Sequence, residues 1–169
     1  MKSAIDESPG EKPTLPWKTI LAPTDYSEPS IQALKTAACL AEQSGAKITL
    51  LHVIHLPVSG GIEAALNVDE IVNVSRQSMD ETARAIPPAL LREKLVRLGT
   101  RGTVQGIIEA ARELSADLIV IATHGHSRLE RILLGSTAER VVLHAPCPVL
   151  VVRRKEMVSE PNQTEKNRP

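Results

Sequence analysis

Residues 118–136 read LIVIATHGHSRLERILLGS. The run Leu118–Ala122 is apolar throughout and short, which fits a strand buried on both faces. Two glycines follow, Gly125 and Gly135, with nine residues between them, and a helical pattern begins at Ser136. A strand, a glycine loop and a helix start together present backbone N–H groups and a positive helix end to an anion. The stretch also has a purely structural reading, with Gly135 as a turn glycine and Ser136 as an N-cap. No Lys precedes Ser136, so the P-loop pattern is absent, and so is GxGxxG. A phosphate site here would rest on backbone and dipole, with Arg128 or Arg131 adding charge.

Working outward, the chain alternates strands and helices. Residues 17–22 (WKTILA) form a first strand that Pro23, Thr24 and Asp25 end. Ser27 can cap the helix that follows, Pro29 suits its first turn, and Gly45 supplies a left-handed stop. Ile31, Leu34, Ala38 and Ala41 give that helix one apolar face, and Cys39 reads as a core residue between Ala38 and Leu40. Residues 47–54 are a second strand. A helix over 62–86 would turn Ile62, Leu66, Ile71, Val74, Met79 and Ala83 inward until Pro87 and Pro88 end it. Residues 94–98 alternate like a half-exposed edge strand. A helix starting near Gly106 turns Ile108, Ala111 and Leu114 inward, and the fourth strand is the opening run. A last helix, Ser136–His144, precedes a fifth strand, Val149–Val152.

This alternation implies one α/β domain, residues 17–154, with a mainly parallel sheet. The polar, proline-bearing residues 1–16 read as a disordered leader and residues 155–169 as a disordered tail. Ligands of such sheets bind beyond the strand carboxyl ends, where the winding reverses. If strands one and four are neighbours, residues 23–25 meet residues 122–125 there. Asp25 could then accept from a ribose hydroxyl or a base amino group, cap the following helix, or do both.

Composition removes several classes of function. Twenty basic and twenty acidic residues balance across 169, so no global field favours nucleic acid or an anionic membrane. Trp17 and Tyr26 are the only aromatic residues, too few for base-stacking platforms. No apolar run could span a bilayer and no signal peptide is present, so the expected location is cytoplasmic. Cys39 and Cys147, with no sign of secretion, read as unpaired. Five histidines include His52, His55, His124 and His126, but no cysteine or carboxylate cluster joins them as a metal site would need. Ser136, His124 and Asp25 could be drawn as a triad, yet no nucleophile elbow supports it.

Four blocks in order resemble the universal stress protein family: ILAPTDYSEPS, ITLLHVI, ADLIVIATHG and LLGSTAERVVLHAPCPVLVV. The resemblance implies a five-stranded parallel α/β sheet of order 3-2-1-4-5, helices on both faces, and ATP, with Mg²⁺, as cofactor. The ATP-binding branch carries G-x-x-G-x9-G-[ST], and Gly125, Gly135 and Ser136 occupy its last three fixed positions while Ala122 stands at the first. By position, Asp25 and Val53 would contact adenine, helped by Pro23 and Thr24. Ala122, Gly125, Gly135, Ser136 and Thr137 would line ribose and triphosphate. Gly102-Thr103-Val104 stands where the family has Gly-x-Pro. The resemblance also implies a homodimer through the fifth strand, Val149–Val152. The functional expectation is an ATP-binding regulatory protein of the stress response, with at most slow hydrolysis and no catalytic residue. The alternative is a nucleotide-independent dimeric interaction module with a vestigial pocket.

Overall fold

The computed structural model describes residues 16–55, 68–123 and 134–153. Expectations for the leader, the tail, Ile62, Leu66, His124, Gly125, His126, Arg128 and Arg131 fall outside these residues.

Five parallel strands form one sheet: β1 (Thr19–Pro23), β2 (Lys47–His55), β3 (Leu91–Gly99), β4 (Leu118–Ala122) and β5 (Val149–Val152). Their spatial order is β3-β2-β1-β4-β5, as expected. The pleat divides the core in two. Ile20, Ala22, Leu118, Val120 and Ala122 pack with Leu34, Ala37 and Ala41 of α1 (Glu28–Ser44) and Met79 of α2 (Val68–Ala83). Leu21, Ile119 and Ile121 point the other way, onto Ile107 and Ala111 of α3 (Thr103–Glu113) and Val141 of α4 (Ser136–His144).

The helix ends follow from local chemistry. Ser27 caps α1 by accepting from Ser30 N, and Gly45 ends it at φ 74°, which favours glycine. Gly102, at φ 93°, is the N-cap of α3, so that helix starts at Thr103 without a proline. Gly106 lies inside α3, where glycine costs about 1 kcal/mol relative to alanine. A close contact with β2 accounts for it below. Asp117 ties the start of β1 to β4: its carboxylate accepts from Lys18 N at 2.8 Å and Thr19 N at 2.9 Å, while its own N–H donates to Thr19 O at 2.9 Å. Those backbone donors hold its carboxyl below the usual range.

Three expectations are corrected. Ile71 and Val74 are 40% and 56% exposed, and the buried face of α2 is instead Ser75, Met79 and Thr82. At 3.6 residues per turn Val74 stands about 140° around the helix from Met79, so one face cannot hold both. Cys39 is exposed, although Ala38 beside it is buried. Consecutive helical residues point about 100° apart, so apolar sequence neighbours do not make a position internal. The third strand also starts earlier than its alternation suggested, directly after a 3-10 turn over Pro88–Leu90.

Candidate functional site

Because β1 and β4 pair side by side, their carboxyl ends open into one space. The chain leaves β1 toward α1 on one face and leaves β4 toward α4 on the other. A cavity of about 330 Å³ lies at this reversal, a size suited to a small molecule.

The wall after β1 is built from short hydrogen bonds. Thr24 N donates to Leu51 O at 2.8 Å, which carries the chain one step beyond the strand. Ser30 Oγ donates to Ser27 O at 2.8 Å, so the 2.9 Å bond between Thr24 Oγ1 and Ser30 Oγ has Thr24 as donor. Thr24 Oγ1 in turn accepts from Tyr26 N at 3.0 Å. This turn holds Tyr26 at φ 67°, an uncommon conformation for a bulky residue. Tyr26 stacks on His52 with ring centroids 4.3 Å apart, and its hydroxyl donates to Ser75 O at 2.8 Å. Burial pushes the Tyr26 phenol up to about 12. His52 Nδ1 lies 2.8 Å from Thr24 O, and since a carbonyl only accepts, that nitrogen carries a proton. Asp25 Oδ1 accepts from Ser27 N at 3.1 Å and from Ser27 Oγ, so Asp25 supports the start of α1 while lining the cavity.

The opposite wall is the start of α4. Its N-cap is Gly135, with no side-chain cap, and Ser136 is the first helical residue rather than the cap. Gly135 N donates to Thr123 O at 2.8 Å and Thr123 N donates to Val152 O at 3.0 Å, fastening this helix start to the ends of β4 and β5. Gly135 has φ −61° and ψ 146°, which any L-residue adopts, so conformation alone does not require glycine there. The cavity thus sets a carboxylate, Asp25, across from a positive helix end at Ser136 and Thr137. That polarity suits a ligand carrying hydrogen-bond donors at one end and an anion at the other.

Of the residues singled out from sequence, Pro23, Thr24, Asp25, Val53, Ala122, Gly135, Ser136 and Thr137 all line this one cavity, and Gly125 lies outside the described residues. Ser30, His52, Thr103 and Ile107 line it too and were not assigned to it from sequence, His52 having been weighed only as a metal ligand, while Thr123 lines it within the expected strand tip. Thr103 was findable, because it opens a helix directly after a strand and its loop, as Ser136 does. His52 precedes Val53 on the same strand end. Among the described residues no group of three or more His, Cys, Asp or Glu could hold a metal ion, and no helix is long and apolar enough to cross a membrane.

The sequence profile of the universal stress protein family matches residues 16–153. The universal stress protein MJ0531 of Methanocaldococcus jannaschii is 35% identical over 143 residues, covering 82% of this chain and 83% of its own. Among solved structures, the hypothetical protein MJ0577 superposes with a TM-score of 0.73 at 28% identity, over 83% of this chain and 99% of that one. A universal stress protein in complex with cAMP superposes with a TM-score of 0.57 at 26% identity, over 82% and 98% of the two chains.

Proposed function

The chain belongs to the universal stress protein family, and from that premise we propose that it is an ATP-binding regulatory protein of the stress response with at most slow hydrolysis. The observation that carries this reading is the polarity of the cavity, with Asp25 on one wall and the uncapped start of α4 on the other. The relative in complex with cAMP supports an adenine nucleotide as the ligand class. Adenine would lie against Asp25 and Val53, beside Pro23 and Thr24. Ribose and phosphates would run along Ala122, Gly125, Gly135, Ser136 and Thr137, chiefly on backbone N–H groups. Mg²⁺ would come with the phosphates. Nucleotide acts in this reading by differential affinity for one conformation or partner surface. A cytoplasmic homodimer through β5 belongs to the same reading, because Val149–Val152 is an apolar strand at the sheet edge.

Ala122 favours a second reading, a nucleotide-independent dimeric module, since the ATP-binding motif writes glycine at that position. Its methyl belongs to the apolar cluster on the α1 and α2 side, away from the layer that holds the start of α4. That placement limits crowding of the phosphates and leaves the first reading ahead.

The test uses purified full-length protein. Nucleotide released on denaturation is identified by anion-exchange chromatography, and ATP with Mg²⁺ is titrated calorimetrically. Co-purified adenine nucleotide or saturable heat supports the proposal. A folded protein with no nucleotide and no heat at millimolar ATP refutes it, and a dimer by sedimentation would then select the second reading.

A further inference from the structure

At Gly99 and Gly106 lies a second cavity, of about 280 Å³, whose lining also includes Arg97, Arg101 and Glu109. Val53 lines the first cavity. Its isopropyl group also fills the space that side chains at Gly99 and Gly106 would use. A Cβ on Gly99 would come within 2.7 Å of Val53 Cγ1. One on Gly106 would come within 2.8 Å of Cγ1 and 3.1 Å of Cγ2. These glycines sit on separate elements, the end of β3 and the first turns of α3, yet both leave their space to the same side chain. One valine therefore stands between the first cavity and both glycines, with no side chain behind it at either.

We propose that Val53 sets the size limit of the ring bound at the end of β2, and that Gly99 and Gly106 set how far Val53 stands back. The inference deepens the nucleotide reading and rests on it, since the ring facing Val53 there is adenine. The ligand class is then narrowed to purines without a bulky substituent on the edge that meets Val53. Val53→Ala removes the methyl groups at the cavity wall, and neither glycine has a side chain to fill the space they leave, so a substituent excluded before gains room. Gly106→Ala acts from behind and drives the isopropyl group toward the first cavity. Combining the two substitutions relieves that pressure.

The experiment measures affinity for ATP, N6-benzyl-ATP and 2-benzylthio-ATP, which carry a ring on two edges of adenine. It compares the wild type, Val53→Ala, Gly106→Ala and the double variant, each as full chain with a melting curve. In the wild type at least one analogue should bind about tenfold or more weakly than ATP, and Val53→Ala should bring that analogue within about threefold of ATP. Gly106→Ala should weaken ATP about tenfold, and adding Val53→Ala should recover part of that loss. Unchanged analogue-to-ATP ratios in Val53→Ala, in a wild type that binds ATP, overturn the inference and leave the nucleotide reading standing. A folded Gly106→Ala with wild-type ATP affinity overturns it as well. Should Gly106→Ala fail to fold, the Val53→Ala ratios decide alone. A folded wild type that binds no ATP removes the nucleotide reading and this inference with it.

Discussion

Gly135→Ala separates a structural glycine from one that admits a phosphate. Gly135 sits at φ −61° and ψ 146°, open to any L-residue, so the substitution introduces no backbone strain. Its N–H donates to Thr123 O at 2.8 Å and its carbonyl accepts from Glu139 N at 2.9 Å, and alanine keeps both bonds. What the fold loses is a good N-cap residue, about 0.5–1.5 kcal/mol. For a domain of this size that is about 2–4 °C of melting temperature per kcal/mol. Affinity should fall much further, because a methyl group would stand where a phosphate must approach the first N–H groups of α4. Losing one charge-assisted N–H bond to phosphate costs about 1.5–3 kcal/mol. That is about a ten- to hundredfold rise in Kd. Calorimetric titration with ATP and Mg²⁺, paired with a thermal melt of the same preparation, reads both quantities. Affinity within about twofold of wild type, alongside the small melting shift, would refute the phosphate position.

Asp117→Ala should destabilise the fold by about 1–2 kcal/mol, two backbone hydrogen bonds discounted for their exposure to water. The folded carboxyl is held below its ordinary value, so its contribution is fully present above about pH 4 and fades as pH falls through the folded value. The melting difference between wild type and variant should stay constant from neutral pH to about pH 5 and shrink only below about pH 4; a difference that grows on acidification would contradict the assignment. The two thiols should also separate in a maleimide assay, with exposed Cys39 labelled first. Burial, and then the charge of Asp117, push the Cys147 thiol up. Asp117→Asn should move the labelling profile of Cys147 to lower pH, and an unmoved profile would leave burial as the sole cause.

Much of the architecture was legible because its signals are local. Ser27, Gly45 and the apolar run Leu118–Ala122 each fix a boundary from adjacent residues, and α4 and β5 fall where their patterns place them. The inward face of α2 was not legible. It carries Ser75 and Thr82 beside Met79, and hydrophobic spacing cannot anticipate that a polar stripe will be the buried one. Cys39 misled for a related reason, since apolar neighbours in sequence lie on different sides of a helix. Strand-tip logic singled out the cavity residues around Asp25 and Gly135, but Ser30 enters the lining from inside α1. The fit of Val53 against Gly99 and Gly106 joins three elements and exists only after folding. The side taken by the Ala122 methyl is likewise a property of the pleat, not of the motif.

The bond between His52 Nδ1 and Thr24 O has a consequence for selectivity. With one ring nitrogen committed as a donor to a backbone carbonyl, the neutral ring can hold its proton only there. Nε2 of the neutral ring is then a fixed acceptor, held in plane by the stacked Tyr26. A ligand group that reaches it must bring a hydrogen. Where Nε2 meets a ligand it reads donors and turns away bare carbonyls, and that preference is written by a main-chain atom of the residue directly after β1.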